Sequence, residues 1–136
     1  MTIPAAEIFK AYDIRGIVDH SLTETTVQQI GQAVASDTLA CQGDTVIVGR
    51  DGRLSGPRLV SALSDGIRAA GCDVVDIGMV ATPCTYFASH HLNIGSAISV
   101  TGSHNPPEYN GFKFMLGTAA FFGAEIRNLG KIAAAE

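Results

Sequence analysis

The 136 residues contain no run of lysine and arginine and no basic stripe interleaved with aromatics. With a formal net charge of −4, the chain is therefore a poor match for nucleic acid. Its three cysteines, Cys41, Cys72 and Cys84, are odd in number and widely spaced, and none forms a C-x-x-C pair. That pattern points to neither a disulfide framework nor a structural zinc site, and it predicts a reducing, cytoplasmic setting. No apolar stretch approaches the ~20 residues of a membrane span, and the first residues lack the basic-then-apolar form of a secretory leader. Also missing are the G-K-[ST] ending of a phosphate-binding P-loop, the spacing of a dinucleotide fingerprint, the G-x-S-x-G elbow of a serine hydrolase, an internal repeat and a low-complexity linker.

What is present is a composition 46% hydrophobic and 16% charged, at a length that suits one compact domain over residues 1–136. Thr45-Val46-Ile47-Val48-Gly49 is a short β-branched run of the kind covered on both faces, and 73–80 and 97–100 read as further strands. Between them, Val27, Ile30, Val34 and Thr38 recur at helical spacing behind a Thr23 cap, with Gly43 expected to close that helix in a left-handed conformation. Leu59, Val60, Leu63 and Ile67 follow Pro57 at the same spacing, and Thr82-Pro83 opens another helix through Leu92. A last helix is expected over 122–133. Strand and helix alternate, so the chain is expected to be α/β with right-handed crossovers and a mixed, mostly parallel sheet. His90-His91 lie side by side on a helix, about 100° apart, a poor geometry for chelating one metal.

Chemistry concentrates in one stretch. The apolar run ending at Val100 gives way to Thr101-Gly102-Ser103-His104-Asn105-Pro106-Pro107-Glu108-Tyr109-Asn110-Gly111-Phe112-Lys113. Gly102 permits angles or close approaches that a Cβ forbids, and Pro106-Pro107 stiffens the path, so Ser103 is expected to be held on a loop. Asn110-Gly111 is expected to turn the chain back into the sheet, bringing Lys113 near that loop. Upstream, residues 8–17 read as a short strand or extended arm around Tyr12, Asp13 and Arg15, which on pattern alone could be an edge strand with Arg15 in solvent. The loop Arg50-Asp51-Gly52-Arg53-Leu54-Ser55-Gly56 follows the 45–49 strand.

The string T-G-S-H-N-P-x-x-x-N-G-x-K from Thr101 to Lys113 resembles the phosphoserine loop of the α-D-phosphohexomutases, the phosphoglucomutases and phosphomannomutases. F-K-A-Y-D-I-R-G and V-G-R-D-G-R-x-S-G resemble two more signatures of that family, in the family's order. The resemblance implies the family's first domain, a three-layer α/β/α fold with a four-stranded sheet, here without the family's remaining domains. It implies a reaction that interconverts hexose 1-phosphate and hexose 6-phosphate through a hexose 1,6-bisphosphate. Ser103 then carries the phosphoryl group and offers an oxygen to Mg²⁺, His104 is the acid or base, and Lys113 and Arg15 offset charge. Tyr12 and Asn105 position the loop, and Arg50, Asp51 and Arg53 stand behind it.

In the family the other metal ligands, the sugar-reading residues and the phosphate grip lie in other domains, so this chain alone is expected to be inactive as a mutase. Its partners are expected to be a phosphosugar and those domains, and around Phe121-Phe122 and the last helix it is expected to self-associate. Two other readings remain. One is a catalytically silent phosphate-binding or interaction module, and the other is a serine hydrolase, which adjacency of Ser103 and His104 in sequence disfavours.

Overall fold

The computed structural model describes residues 3–116, 119–120 and 124–135. After a single 3-10 turn at Ala6–Ile8 the elements run β1 (Ile14–Ile17), α1 (Glu24–Ala40), β2 (Thr45–Arg50), α2 (Gly56–Ala69) and β3 (Asp73–Met79). They continue with α3 (Thr82–Leu92), β4 (Ser96–Val100), β5 (Tyr109–Leu116), β6 (Ala119–Ala120) and α4 (Ala124–Ala135). The main path of the sheet is β1-β5-β4-β2-β3, with β6 paired to β5. It therefore has five strands where four were expected, because the 8–17 arm joins it: Ile14–Ile17 pairs antiparallel with Phe112 back to Tyr109. β2 lies parallel to both β3 and β4, whereas β5 runs antiparallel to β1 and β4, so β5 alone opposes the other four strands of that path and the sheet is mixed and mostly parallel, as expected.

Strand alternation divides the core. Val46, Val48, Ile98, Val100, Phe112 and Phe114 face one way, onto Ile30 and Val34 of α1, Leu63 and Ile67 of α2, and Ile126 and Leu129 of α4. Ile47, Ala97 and Met115 face the other way, into a smaller cluster with Tyr86 and Ala88 of α3. Helices on both faces make the three layers. Along β5, the register puts Arg15 of β1 opposite Gly111 and Ser99 of β4 opposite Lys113.

The helix ends follow local chemistry. Thr23 Oγ1 accepts from Thr26 N at 3.2 Å, the expected cap of α1. At the other end it is Gln42, with φ 63, and not Gly43 that takes the left-handed turn. Gln42 N donates to Leu39 O and Gly43 N to Thr38 O, a paired closure that needs its left-handed residue one position earlier than Gly43.

A second correction concerns Asn110-Gly111, which lies inside β5 and makes no turn. The loop from Thr101 to Glu108 has already reversed the chain, and Asn110 is fully buried. Its Nδ2 donates to Ser55 Oγ at 2.9 Å while its Oδ1 accepts from Gly111 N, so the amide is satisfied within the strand. Gly111 earns its place through β1: a Cβ there would stand 2.2 Å from Ile14 O. Phe121-Phe122 lie outside the described residues, and α4 begins at Ala124.

Candidate functional site

The loop after β4 is held from beneath by one arginine. Arg53 Nη1 donates to Pro106 O (2.6 Å) and Tyr109 O (3.0 Å), and Nη2 donates to Asn105 O (2.6 Å) and Ser103 O (3.3 Å). One planar guanidinium thus spans four carbonyls of the loop, a use that depends on the fixed fork of its donors. It can reach them because residue 102 is glycine: a Cβ there would lie 2.0 Å from Arg53 Cζ. Gly102 therefore serves for close approach, and its φ is not among the positive ones.

Asp51 completes the support. Its Oδ2 accepts from Thr101 Oγ1 and from Gly102 N, each at 3.0 Å, and its Oδ1 accepts from Arg53 N at 3.1 Å. Thr101 Oγ1 in turn accepts from Ser103 N at 3.0 Å, and Asn105 closes onto Gly102 O through both its backbone N–H and its Nδ2. Within this frame Ser103 sits at φ 54, a left-handed conformation that a non-glycine residue adopts at a cost of roughly 1–2 kcal/mol. Ser103 is half-buried and His104 is exposed. Arg50 packs its stem where a Gly56 Cβ would lie, and makes no hydrogen bond to the loop among the described residues.

Beside the loop, between the N-terminal arm and β5, lies a cavity of about 660 Å³. Tyr12, Arg15, Asn105 and Lys113 all line it, so four of the residues singled out in the sequence converge there. Ser103 and His104 are not among its lining residues. Asn105, which touches both the cavity and the frame of the loop, connects the two. Arg15 Nη2 donates to Asp13 Oδ2 in a close ion pair, and Asp13 is itself buried. The Arg15 Nε is buried with no partner among the described residues.

Sequence reasoning passes over Thr101 and Asp13 even though both lie inside the quoted motifs. A signal existed for Asp13, since residues two apart on an extended segment share a side, and an acid there can pair with Arg15. Thr101 had none: its partner Asp51 is fifty residues away and is found only through the β2–β4 pairing.

No group of three or more His, Cys, Asp or Glu side chains among the described residues is placed to hold a metal ion. His91 stacks on Phe87 with ring centroids 5.5 Å apart. No helix among those residues is long and apolar enough to cross a membrane.

Comparison with known proteins bears directly on this arrangement. Residues 6–135 match the family model described as phosphoglucomutase/phosphomannomutase, alpha/beta/alpha domain I. A phosphomannomutase/phosphoglucomutase of Pseudomonas aeruginosa is 49% identical over 128 residues, 94% of this chain and 27% of the relative. A phosphoglucomutase of Neisseria meningitidis is 48% identical over 125 residues, 92% of this chain and again 27% of the relative. The crystal structure of a phosphoglucomutase/phosphomannomutase family protein from Burkholderia thailandensis superposes with a TM-score of 0.92 at 51% identity, covering 98% of this chain and 31% of that one. This chain spans about a quarter of the length of the curated relatives it matches.

Proposed function

This chain belongs to the phosphoglucomutase/phosphomannomutase family, as its α/β/α domain I, and on that premise we propose that Ser103 carries the phosphoryl group of a complete phosphohexomutase. The observation that supports it most is the frame around Ser103: Arg53 and Asp51 together fix the backbone from Thr101 to Tyr109, with Ser103 strained into a left-handed conformation. Strain maintained by this many hydrogen bonds is the signature of a presented side chain rather than of an incidental turn.

In the reaction, a hydroxyl of a hexose monophosphate attacks phosphorus on Ser103. The bond from Ser103 Oγ to phosphorus breaks, and one to the sugar oxygen forms. His104 takes the hydroxyl proton, and the resulting hexose 1,6-bisphosphate turns over in the cleft. Its other phosphate then returns to Ser103, with glucose and mannose both candidate hexoses. Arg15 and Lys113 offset charge on the transferring phosphoryl, Tyr12 and Asn105 position it, and Arg53 and Asp51, with Arg50 behind them, act through the loop. Ser103 is the one donor this chain would offer to Mg²⁺, which when bound supplies charge neutralisation to a nearly dianionic phosphate. The remaining ligands have to come from elsewhere, so this chain alone is inactive as a mutase.

The test uses a complete enzyme carrying this domain. Intact mass should show one phosphate after treatment with hexose 1,6-bisphosphate, and none in Ser103→Ala. In the phosphorylated enzyme, His104→Ala should flatten the limb of the pH-rate profile that reports the base, while Arg15→Ala should lower the rate at every pH by ~10²–10³-fold. Phosphate on another residue would overturn the reading. Sustained Mg²⁺-dependent turnover by the 136-residue chain alone would overturn the claim of inactivity, and a phosphate-free but cavity-competent enzyme would favour a silent binding module.

A further inference from the structure

Within the cavity beside the loop, one cationic lining residue, Lys10, has no place in the reaction just described. Phe9 bridges to Ile14 in antiparallel fashion, so Lys10 to Asp13 form a tight turn, closed by Lys10 N donating to Asp13 O at 2.9 Å. The turn carries Lys10, Tyr12 and Asp13, all of which line the cavity, as do Arg15 just beyond and Lys113 across the sheet. Three cations thus converge, in a chain whose net charge is −4.

The carboxylates present do not neutralise them. Asp13 is committed to Arg15, and Glu7 is the other acid on the lining. Neither Lys10 nor Lys113 makes an ion pair or side-chain hydrogen bond among the described residues. Arg15 moreover keeps a buried Nε with no partner among the described residues. Its ion pair with Asp13 is made through Nη2, so the Nη1 end of the fork is left to meet an acceptor in the cavity.

We propose that Lys10 is a third cationic ligand, beside Arg15 and Lys113, for a phosphate monoester dianion held in this cavity. The ligand class rests on the mutase reading given above, whereas the role of Lys10 rests on the cavity itself. Arg15 supplies a directional donor and the lysines supply point charges, a combination that suits the several oxygens of a phosphate better than the two of a carboxylate. A cavity of about 660 Å³ also leaves room for the sugar that would carry the phosphate. Lys10 is exposed, so it can close over the ligand from the arm without leaving a buried charge when the site empties.

The probe is inorganic phosphate, titrated into the ¹⁵N-labelled chain at constant ionic strength. Saturable shifts are expected at amides of residues 10–17 and 109–113. Lys10→Met should weaken the affinity about fivefold to tenfold, in the range of a charge-assisted contact discounted for exposure. Lys131→Met, which removes an equal charge from α4, should change it less than twofold. An unchanged amide spectrum before titration establishes that each variant folds. Equal losses in both variants would mean diffuse attraction and overturn the proposal. So would absence of saturation, or shifts confined elsewhere. Inorganic phosphate asks for no phosphoryl transfer, so this titration does not depend on the chemistry of Ser103. A failed phosphorylation test therefore leaves the Lys10 result standing, and a failed Lys10 test leaves Ser103 untouched.

Discussion

On one face of the sheet β5 buries Phe112, Phe114 and Leu116 beneath helices, while on the other face the same strand turns a half-exposed Lys113 toward an open cavity. The helical cover differs accordingly. α1, α2 and α4 close over the first face, whereas on the second α3 packs against β2 and β4. A period of two along a single strand is thus enough to keep residues that hold the fold apart from residues that meet a ligand. The comparison teaches that substitutions one residue apart on β5 should fail in different ways.

The largest expected effect tests that separation from the loop that stands beside the cavity. In a complete enzyme, Ser103→Ala should reduce turnover to near background with little change in thermal midpoint, since it removes one oxygen from a half-buried loop position. Phe112→Ala should do the reverse. Deleting a fully buried ring should cost about 3–5 kcal/mol in denaturant unfolding, while the folded fraction keeps its turnover per molecule to within a few-fold. A Phe112→Ala enzyme that folded with full stability but no activity would break the division between the two faces.

Smaller changes on the helical side should sharpen it. Gln42 takes a left-handed turn at φ 63, so Gln42→Gly should stabilise the chain by about 0.5–1 kcal/mol, the relief of the Cβ penalty being partly offset by a freer unfolded chain. Asp37 lies in the last turn of α1, where a negative charge opposes the helix dipole, and burial raises its pKa. A carboxyl whose folded pKa exceeds its unfolded value stabilises less as pH rises between the two, and the penalty is complete above the folded pKa. Asp37→Asn should therefore raise stability by about 0.5 kcal/mol at neutral pH, and the gain should vanish as the pH falls toward 3.8. Thermal melts at two pH values would check it, with turnover unchanged in both α1 variants.

Much of this division was legible before any coordinates. The apolar periods at Val27, Ile30 and Val34 and at Leu59, Leu63 and Ile67 located the helices that cover the first face, because burial imposes that spacing on the sequence itself. Misreadings arose where a local signal was outweighed by something distant. Asn110-Gly111 has the chemistry of a turn, yet its amide is satisfied by Ser55, far away in sequence, and it stays in the strand. The 8–17 arm is too short to declare its partner, so the fifth strand emerged only from its pairing with β5. Arg53 carried a motif but no indication that its two Nη groups would go to carbonyls some fifty residues on. Periodicity is written locally, whereas a hydrogen-bonded frame is written across the topology.

The pairing of β1 with β5 also bears on how the molecule comes into being. β1 leaves the ribosome well before its partner β5, with Ile14 against Phe112 and about a hundred residues between them. Contacts of such long sequence separation form late, after the loop entropy of everything between has been met. β2, β3 and β4 can associate with their helices while Ile14–Ile17 still lacks its partner, so the arm is expected to dock last. Since the cavity takes one wall from the arm and another from β5, it cannot exist in a partly made chain. A nascent molecule thus lacks this cavity until β5 has been made and has met the arm, and the exposed edge of β5 is the surface a chaperone would find before that docking.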